Sequence, residues 1–476
     1  MRITSGWGMA KSGDDISVLA GTGGVVLGEA RTNHEGRKAV LLIRGDEDTS
    51  EFVALVETMG IAIVETLHQP GIGDPRGYFG KGRLQDVADE LSSRVQGHPW
   101  QNVDLVLMHT NASPRQLVGV SSAVEIEVWD RVRLLLSLFT SHASSLEARL
   151  QVRIARMLSD RTVLRELANQ QTTGERAGYG GGGITALQAT IANINRELVQ
   201  LRKRQKKHAV AQSERRKQRS RSGAVTVGLA GYTNAGKSSL FLALSGKDVL
   251  VKDKLFSTLE TTIGRMEDSP RVLLADTIGF IDHLPSSTLD AFRATLAEAL
   301  ECDLLLILSD VSDAPKELER KLFTSRNEIF SRYYGEEIED DFPWNSNETS
   351  NVQKVLTVLT KKDRATEMQV DEAVATVAAL GLPEPLIISS HTGEGMKLLK
   401  DAILLKLYGP QTNLLLLPVP PEGGRAVEGL VSDVYEAGLV SKRIERDDGG
   451  VEMRVWMDEQ SLSRLLAHSK NRIEVK

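Results

Sequence analysis

The segment Gly231-Tyr232-Thr233-Asn234-Ala235-Gly236-Lys237-Ser238 has the pattern G-x-x-x-x-G-K-[ST] of a phosphate-binding loop. An apolar stretch at 224–230 predicts a buried strand before it, and residues 238–244 predict the start of a helix. In that setting the glycines let backbone N–H groups approach phosphates, Lys237 reaches the β- and γ-phosphates, and the Ser238 hydroxyl can bind Mg²⁺. The sequence therefore predicts a nucleotide site at this loop, with Ser239 beside it.

Three further motifs follow in order, each behind a predicted strand. Asp276-Thr277-Ile278-Gly279 has the pattern D-x-x-G, in which Asp276 can hold Mg²⁺ through bound water and the Gly279 N–H can meet the γ-phosphate. Thr360-Lys361-Lys362-Asp363 resembles the [NT]-K-x-D motif, whose carboxylate accepts hydrogen bonds from guanine N1 and N2. Ser389-Ser390-His391 resembles the motif whose backbone N–H contacts guanine O6. The ordered set predicts GTP binding and hydrolysis.

A hydroxyl that senses the γ-phosphate through Mg²⁺ is expected between the phosphate loop and Asp276. We choose Thr258, because Phe256-Ser257-Thr258-Leu259-Glu260 resembles the second motif of Obg-like and HflX-like GTPases. Thr261 and Thr262 remain alternatives. The predicted catalytic residues are thus Lys237, Thr258 and Gly279, and the predicted metal site comprises Ser238, Thr258 and, through water, Asp276.

Two residues bear on the rate of hydrolysis. Phe280 occupies the position where Ras-like proteins carry a water-orienting Gln, so we expect slow hydrolysis unless a cation, a repositioned loop or a partner completes the site. Asn234 stands in the spacing G-x-x-N-x-G-K-S, which resembles that of potassium-activated GTPases. Asn234 is therefore either a K⁺ ligand or a residue that only stabilises the loop.

Composition is that of an ordinary globular protein. The 476 residues are 41% hydrophobic and 26% charged, with net charge −6, and suggest about two to four domains. The apolar runs are far shorter than the roughly 18 residues of a membrane span, so no membrane partner is expected. The single cysteine, Cys302, fits a reducing compartment, and we expect a cytoplasmic monomer.

The charge distribution is uneven. Residues 202–221, here called the basic segment, are rich in Lys and Arg and contain one acid, Glu214. They are a solvated helix end or linker, or else they contact a nucleic-acid backbone without reading bases.

Apolar stripes at helical spacing precede the basic segment and predict two antiparallel helices. These stripes comprise Leu146, Leu150, Ile154, Met157, Leu164 and Leu167, and then Leu187, Ile191, Ile194, Leu198 and Leu201. Residues 174–183, here called the glycine segment, predict a flexible connection or a tip that reaches a partner.

Outside these parts, residues 39–126 alternate strand and helix signals and predict a parallel sheet. The predicted class is α/β: a P-loop domain with helices on both faces of a parallel sheet, preceded by an α/β domain with an antiparallel helical hairpin and followed by a small α+β domain. The C-terminal domain is either a docking surface or a structural cap. The predicted divisions are an N-terminal extension, partly disordered (1–38), the α/β domain (39–140), the hairpin with the basic segment (141–222), the P-loop domain (223–409) and the C-terminal domain (410–476).

The order of these features resembles the HflX family over about residues 39–475. Besides the phosphate loop, the resemblance rests on Gly80-Lys81-Gly82, Ser113-Pro114-Arg115-Gln116, Asp130-Arg131 and residues 147–152. It implies binding to the large ribosomal subunit and its rRNA, with ribosome splitting or rescue, and a hairpin tip that approaches the peptidyl-transferase region. The chain departs from the family after Gly183, in an acidic insertion at 326–350, and in residues 1–35. Rival hypotheses are a GTP-dependent adaptor for a protein or another RNA, and an ATP-driven RNA-remodelling enzyme.

Overall fold

The structure is a computed structural model with two compact units; of the described residues, the first unit contains those up to Ser213 and the second those from Glu214 on. It describes residues 9–11, 17–19, 32–46, 48–93, 97–143, 145–172, 182–221, 223–246, 262–276, 279, 302–334, 354–418, 426–469 and 471–476. Each unit contains a parallel sheet whose central strands are buried. Every helix within these residues is too short or too polar to cross a membrane.

The first unit begins with a two-stranded antiparallel pair, β1 (Met9–Lys11) and β2 (Ser17–Leu19). A four-stranded sheet follows in the order β4-β3-β5-β6, with all neighbours parallel. Its elements in chain order are β3 (Lys38–Arg44), α1 (Ser50–Thr58), β4 (Ala62–Gln69), α2 (Lys81–Ser93), β5 (Leu105–Met108), α3 (Pro114–Val124), β6 (Glu127–Trp129) and α4 (Arg131–His142). The prediction of a parallel sheet is confirmed, because alternating strands and helices return each strand in the same direction.

Two long helices follow, α5 (Leu146–Thr172) and α6 (Gly182–Arg221), and the last residues of α6, from Glu214 on, are assigned to the second unit. They run antiparallel: Val163 and Leu167, late in α5, share a core cluster with Leu187, early in α6. Arg153, early in α5, lies 2.5 Å from Glu197, later in α6. The predicted hairpin is thus confirmed.

The hairpin differs from the sequence predictions at Leu146 and at Gly182 and Gly183, and its basic segment is helical, as one of the predicted alternatives has it. Leu146 begins the predicted α5 stripe but is exposed, because it lies in the first turn of the helix. The basic segment belongs to α6, since Arg, Lys and Gln are good helix formers. The glycine segment lies outside the described residues up to 181, and Gly182 and Gly183 already belong to α6.

The second unit is built on a six-stranded sheet in the order β12-β11-β10-β7-β9-β8. Its elements are β7 (Val225–Gly231), α7 (Lys237–Ser245), β8 (Thr262–Met266), β9 (Ser269–Asp276), β10 (Leu304–Asp310), α8 (Pro315–Tyr334), β11 (Lys354–Thr360), α9 (Glu367–Ala379), β12 (Leu386–Ile387) and α10 (Met396–Tyr408). All neighbours are parallel except β8, which pairs antiparallel with β9 at the sheet edge. A two-residue turn joins β8 to β9, and so short a connection permits only the antiparallel arrangement.

Both faces of this sheet are covered. Leu304, Leu306 and Leu308 of β10 join one core cluster with side chains of α7 and α10. Leu305 and Ile307 are buried as well but point to the opposite face, since strand side chains alternate. The helix α8 continues to Tyr334, so the first part of the acidic insertion is helical, and residues 335–350 lie outside the described residues.

The chain ends in an antiparallel sheet of order β14-β15-β13-β16 with two helices. The elements are β13 (Gln411–Leu416), α11 (Val427–Ala437), β14 (Leu439–Glu445), β15 (Val451–Trp456), α12 (Glu459–His468) and β16 (Ile473–Val475). Leu430, Val434 and Leu465 of the two helices pack on this sheet. Leu439 and Trp456 join the core cluster of the six-stranded sheet, so the C-terminal sheet packs directly against it.

Candidate nucleotide-binding site

The phosphate loop connects β7 to α7, as its sequence predicts. Two of its glycines have backbone conformations with positive φ, 151° at Gly231 and 82° at Gly236. A Cβ at Gly231 would lie 2.4 Å from the Leu308 carbonyl oxygen, closer than any side chain tolerates. A side chain there would push β7 away from β10, so glycine is required where the loop leaves the strand.

Lys237, the first residue of α7, is buried, and its ammonium group faces the loop. Its Nζ donates to the carbonyl oxygens of Gly231 at 3.1 Å and Tyr232 at 2.8 Å. Burial lowers the pKa of Lys237 to about 8, partly opposed by the nearby Asp276 carboxylate. Two of the three donors of this desolvated ammonium group are held by carbonyl oxygens, so the third can donate to a phosphate oxygen while the lysine stays in position.

Two of the three predicted metal-binding residues, Ser238 at the start of α7 and Asp276 at the end of β9, lie next to each other, and Thr258 is outside the described residues. The Ser238 hydroxyl donates to Asp276 Oδ2 at 2.8 Å, and Asp276 is almost completely buried. Hydroxyl and carboxylate oxygens are the donors that Mg²⁺ prefers, and a Ser next to an Asp suits its octahedral shell of few protein ligands and several waters. The donor chemistry of these two residues therefore fits Mg²⁺.

Gly279 lies against the phosphate loop. A Cβ at this position would be 2.7 Å from Lys237 Nζ and 2.8 Å from the Thr233 backbone nitrogen. The backbone after β9 thus reaches the same point as the lysine that the sequence assigns to the β- and γ-phosphates. The absence of a side chain is what permits this approach.

The two guanine motifs also meet. Ser389 Oγ donates to Asp363 Oδ1 at 2.6 Å and accepts from the Thr392 N–H at 3.1 Å. The hydrogen bond from Ser389 holds the pKa of the Asp363 carboxyl below its usual range. Asp363 itself is exposed, so its second carboxylate oxygen can accept hydrogen bonds from a ligand. The carboxylate is therefore charged and oriented at neutral pH, as an acceptor for two guanine N–H groups requires.

Thr360 connects the guanine motif to the phosphate loop. Its buried hydroxyl donates to the Ala235 carbonyl oxygen at 2.9 Å and lies 3.1 Å from the Ser309 carbonyl oxygen. The next residue, Lys361, forms an ion pair with Asp310 at 2.6 Å, at the end of β10. The loop that would read the base and the loop that would hold the phosphates are thus fixed to each other through β10 and β11.

The remaining predicted site residues divide into those described and those that are not. Thr233 and Ala235 are buried in the phosphate loop, Asn234 and Ser239 are exposed, and Asn234 has a positive φ of 62°. In the guanine motifs Lys362 forms an ion pair with Glu394, Ser390 is half-buried and His391 is exposed. Outside the described residues lie Phe256, Ser257, Thr258, Leu259, Glu260, Thr261, Thr277, Ile278 and Phe280. The alternative Thr262 begins β8, opposite Asp276 in register.

Two contributors were missed by the reasoning from sequence. Asp310 ends an apolar strand, as Asp276 does, so the same signal could have found it. The Ser389 side chain was assigned only a backbone role, since nothing local indicates that its hydroxyl reaches a residue 26 positions away.

Comparison with known proteins agrees with this site. Residues 226–333 match the family described as 50S ribosome-binding GTPase, and residues 46–140 match the family described as GTP-binding GTPase N-terminal. GTPase HflX of Gluconacetobacter diazotrophicus is 31% identical over 447 residues, covering 93% of this chain and 90% of that relative. GTPase HflX of Thermofilum pendens is 34% identical over 300 residues, covering 61% of this chain and 69% of the relative. A crystal structure of SsGBP with GDP covers 78% of this chain and 98% of its own, at 22% identity and a TM-score of 0.45.

A phosphate loop between strand and helix, followed by D-x-x-G and T-K-x-D at strand ends, is the site of a GTP-hydrolysing P-loop protein. The protein is therefore a GTPase. The chain belongs to the HflX family of GTPases.

Proposed function

We propose that each predicted site residue has a specific role in GTP hydrolysis. Lys237 binds the β- and γ-phosphates, the Gly279 N–H contacts the γ-phosphate, and Asp363 accepts from guanine N1 and N2. Ser238 and Thr258 ligate Mg²⁺, with Asp276 acting through a bound water. Bound Mg²⁺ would neutralise charge on the phosphate oxygens as the bond to the leaving group breaks. Support for this assignment comes chiefly from the hydrogen bond between Ser238 and Asp276.

The test of these roles is Lys237→Ala, which removes the main cationic partner of the phosphates. GTP binding or turnover should fall by at least about a hundred-fold, measured with purified protein. Normal turnover would remove the phosphate loop from the mechanism. The matched control is Lys316→Ala, an exposed lysine in the first turn of α8, which should leave turnover unchanged.

We propose further that the large ribosomal subunit and its rRNA are the partner, and that binding serves ribosome splitting or rescue. Support comes from the basic segment, where a run of cationic side chains is exposed on one continuous helix. The exposed cations with described side chains are Arg202, Lys203, Arg204, Lys206, Lys207, Arg215 and Lys217. Phosphate-backbone binding needs such a row of solvent-accessible cations, and the family description of residues 226–333 points to the same partner.

Co-sedimentation with large ribosomal subunits, in the presence of a non-hydrolysable GTP analogue, tests this proposal. Arg202, Lys203, Lys206 and Lys207 lie at positions i, i+1, i+4 and i+5 of α6 and so share one face. Their replacement by Ala keeps helix propensity and removes four charges. Affinity should fall, and the slope of log affinity against log salt should shrink by up to about 0.9 per lost contact, if the duplex-DNA value applies to rRNA.

A charge-matched control separates local contact from net charge. Replacing Lys316, Lys397, Lys442 and Arg464 by Ala also removes four exposed charges, outside the basic segment. This variant should sediment as the unchanged protein does. If the basic-segment variant does so as well at moderate salt, the rRNA contact is wrong, and absence of any co-sedimentation favours a GTP-dependent adaptor.

We propose that Asn234 holds K⁺ beside the phosphates and that K⁺ or the ribosome accelerates otherwise slow hydrolysis. Support comes from its exposed side chain on the phosphate loop. Its left-handed backbone also fits the alternative, because Asn adopts this conformation readily. Turnover should be faster in K⁺ than in Na⁺ at equal ionic strength. Asn234→Gly accepts the same backbone without the amide, so loss of the K⁺ effect in this variant indicates a ligand.

If Asn234→Gly keeps the K⁺ effect, Asn234 is only a loop residue. Equal rates in K⁺ and Na⁺, with and without ribosomes, would exclude K⁺ activation altogether. Phe280, at the position of the water-orienting Gln in Ras-like proteins, is the reason for expecting a slow basal rate.

We also propose a cytoplasmic monomer with the five divisions given above. Support for a reducing compartment comes from the single cysteine, Cys302, which leaves no second cysteine in the chain for an internal disulfide. Light scattering of the purified protein and limited proteolysis at the predicted boundaries test mass and divisions. A dimeric mass, or cleavage only inside the predicted domains, would contradict this part of the proposal.

A further inference from the structure

The side chain of Tyr232, the second residue of the phosphate loop, points away from the phosphate site. Its ring is buried and lies beside two cations of α8. Arg320 Cζ is 5.2 Å from the ring centroid, and Lys321 Nζ is 5.6 Å from it. Both distances are within the roughly 6 Å at which a cation is attracted to an aromatic face. The Tyr232 hydroxyl adds a long contact of 3.4 Å with Arg320.

Acidic residues hold both cations in this position. Lys321 Nζ donates to the two carboxylate oxygens of Asp313 at 2.9 and 3.0 Å. Arg320 forms two hydrogen bonds with Glu317, at 2.6 and 3.0 Å. A lysine or arginine side chain loses conformational entropy when it is fixed on an aromatic ring. Because these ion pairs already order Arg320 and Lys321, their contact with Tyr232 costs less entropy.

The backbone of Tyr232 faces the opposite way, toward Lys237. Its carbonyl oxygen accepts from Lys237 Nζ at 2.8 Å and from the Ala235 N–H at 3.3 Å. The ring and the carbonyl belong to one residue, so fixing the ring on α8 also fixes the carbonyl that holds the lysine. Tyr232 therefore links α8 to Lys237, because its ring contacts the helix and its carbonyl oxygen contacts the ammonium group.

We propose that Tyr232, held in place by Arg320 and Lys321, is a positioning residue for Lys237 in GTP hydrolysis, an inference that rests on the proposed role of Lys237 at the phosphates. The same group of residues also leads toward the guanine motif. Asp313, the partner of Lys321, lies in the loop after β10, and the last residue of β10, Asp310, pairs with Lys361. α8 thus contacts the phosphate loop through the ring of Tyr232, and Lys237 contacts the same residue through its carbonyl oxygen. Arg320 and Lys321 contact the ring of Tyr232, so we expect their effect on hydrolysis to pass through this residue.

Two substitutions at Tyr232 separate the aromatic face from the hydroxyl and from bulk. Tyr232→Phe keeps the ring that attracts the cations, and kcat/KM for GTP should stay within about two-fold. Tyr232→Leu keeps an apolar side chain but removes the ring, and kcat/KM should fall by about three- to thirty-fold. GDP release, followed with a fluorescent GDP analogue, should accelerate in Tyr232→Leu only.

A double-mutant cycle tests the contact from the side of the helix. Arg320→Met removes a cation that is 39% exposed and paired with a partly exposed Glu317, so its loss leaves no buried charge unpaired. It should lower kcat/KM by about two- to five-fold in the unchanged protein but by less than two-fold in Tyr232→Leu. Lys316→Met, on the same helix, is the control and should have no effect.

The proposal is overturned if Tyr232→Phe is as damaging as Tyr232→Leu, or if the effects of Tyr232→Leu and Arg320→Met multiply. It is also overturned if the variants lower the melting temperature while kcat/KM and GDP release stay unchanged, since that is the result of packing alone. Should Tyr232→Leu fail to fold, Arg320→Met and Tyr232→Phe still decide the question, because Arg320→Met must then lower kcat/KM while Tyr232→Phe does not.

Discussion

At the scale of single residues, the site depends on side chains whose charge is set by a neighbour. The hydrogen bond from Ser389 lowers the pKa of the Asp363 carboxyl, and burial lowers the pKa of Lys237. Both effects suit the expected ligands. A charged carboxylate accepts hydrogen bonds from guanine N–H groups, and a desolvated ammonium group interacts strongly with the negative charge of phosphate. Both residues therefore yield predictions that depend on charge state.

Replacing Asp363 by Asn should change base preference. The substitution removes the acceptor for guanine N1 and N2, so GTP affinity should fall by about ten- to a hundred-fold while xanthosine triphosphate binds better. Ser389→Ala should weaken GTP binding less and leave the preference for guanine unchanged, because the carboxylate remains. Nucleotide titration of the three proteins measures this, and unchanged GTP affinity in Asp363→Asn would contradict the assignment.

The lowered pKa of Lys237 predicts that nucleotide binding takes up a proton at alkaline pH. Below about pH 8 the lysine is already charged, whereas above it the lysine of the unbound protein is mostly neutral and takes up a proton from solution when phosphate binds. Affinity should thus decline by up to about ten-fold per pH unit above 8. Calorimetry at pH 8.5 in buffers of different ionisation enthalpy measures the uptake.

The control for that experiment is Lys237→Arg, because arginine stays protonated. Any uptake that remains in this variant belongs to another group, such as the guanine ring. Equal uptake in the two proteins would show that Lys237 is charged in the unbound protein at pH 8.5.

At the scale of elements, the N-terminus of α4 depends on one buried carboxylate. Asp130 caps α4, accepting from the Arg133 N–H at 2.9 Å and from the Ala112 N–H at 3.2 Å. Burial nevertheless raises the pKa of Asp130 to about 6, against the effect of these hydrogen bonds. The capped helix therefore depends on a carboxylate that is costly to ionise where it lies.

Asp130 should make the α/β domain less stable as pH rises. The folded pKa lies above the unfolded value of 3.8, so the folded state binds more protons between about pH 4 and 6. The contribution is fully present below this range and is lost as pH passes 6, by about 3 kcal/mol at most. Urea unfolding followed by tryptophan fluorescence, with Trp129 buried in this domain, measures the slope.

Asp130→Asn removes the ionisation while keeping a good N-terminal cap. The fall in stability between pH 4 and 6 should become shallower in this variant, even though the new amide nitrogen cannot accept the hydrogen bond from the Ala112 N–H. An identical slope in both proteins would show that Asp130 titrates as it does in the unfolded chain.

At the scale of the whole molecule, the helical basic segment and the glycine segment should have separable effects on the ribosome. Replacing residues 174–181 by a short Ser-rich turn removes no net charge, since Glu175 and Arg176 cancel. Binding to large subunits should persist while ribosome-stimulated turnover or subunit separation declines. The four-residue variant of the basic segment should show the reverse, with weaker binding and unchanged turnover once bound.

Sedimentation and turnover assays on the two variants make this comparison. If both variants lose binding and turnover to the same extent, the two segments act as one contact. If the glycine-segment variant retains full stimulation, the segment only connects α5 to α6.

The sequence by itself determined the features that depend on residues only a few positions apart. The phosphate loop, D-x-x-G and T-K-x-D motifs are local patterns behind apolar strands, and each structural requirement, such as glycine at Gly231, falls within a few residues. The parallel sheets follow from alternating strand and helix signals for the same reason. Short or charged edge strands such as β6, β14 and β16 gave no such signal, because pairing with a neighbour stabilises them more than their own composition does.

The tertiary structure decided the contacts that join distant segments. Thr360 meets Ala235 across 125 residues, and Arg320 meets Tyr232 across 88. Neither contact has a spacing that periodicity can reveal, since each exists only after parallel strands bring their carboxyl ends to one edge. The phosphate loop could therefore be recognised from neighbouring residues in the sequence. The contacts that hold Lys237 and Asp363 in place form only when distant segments fold together.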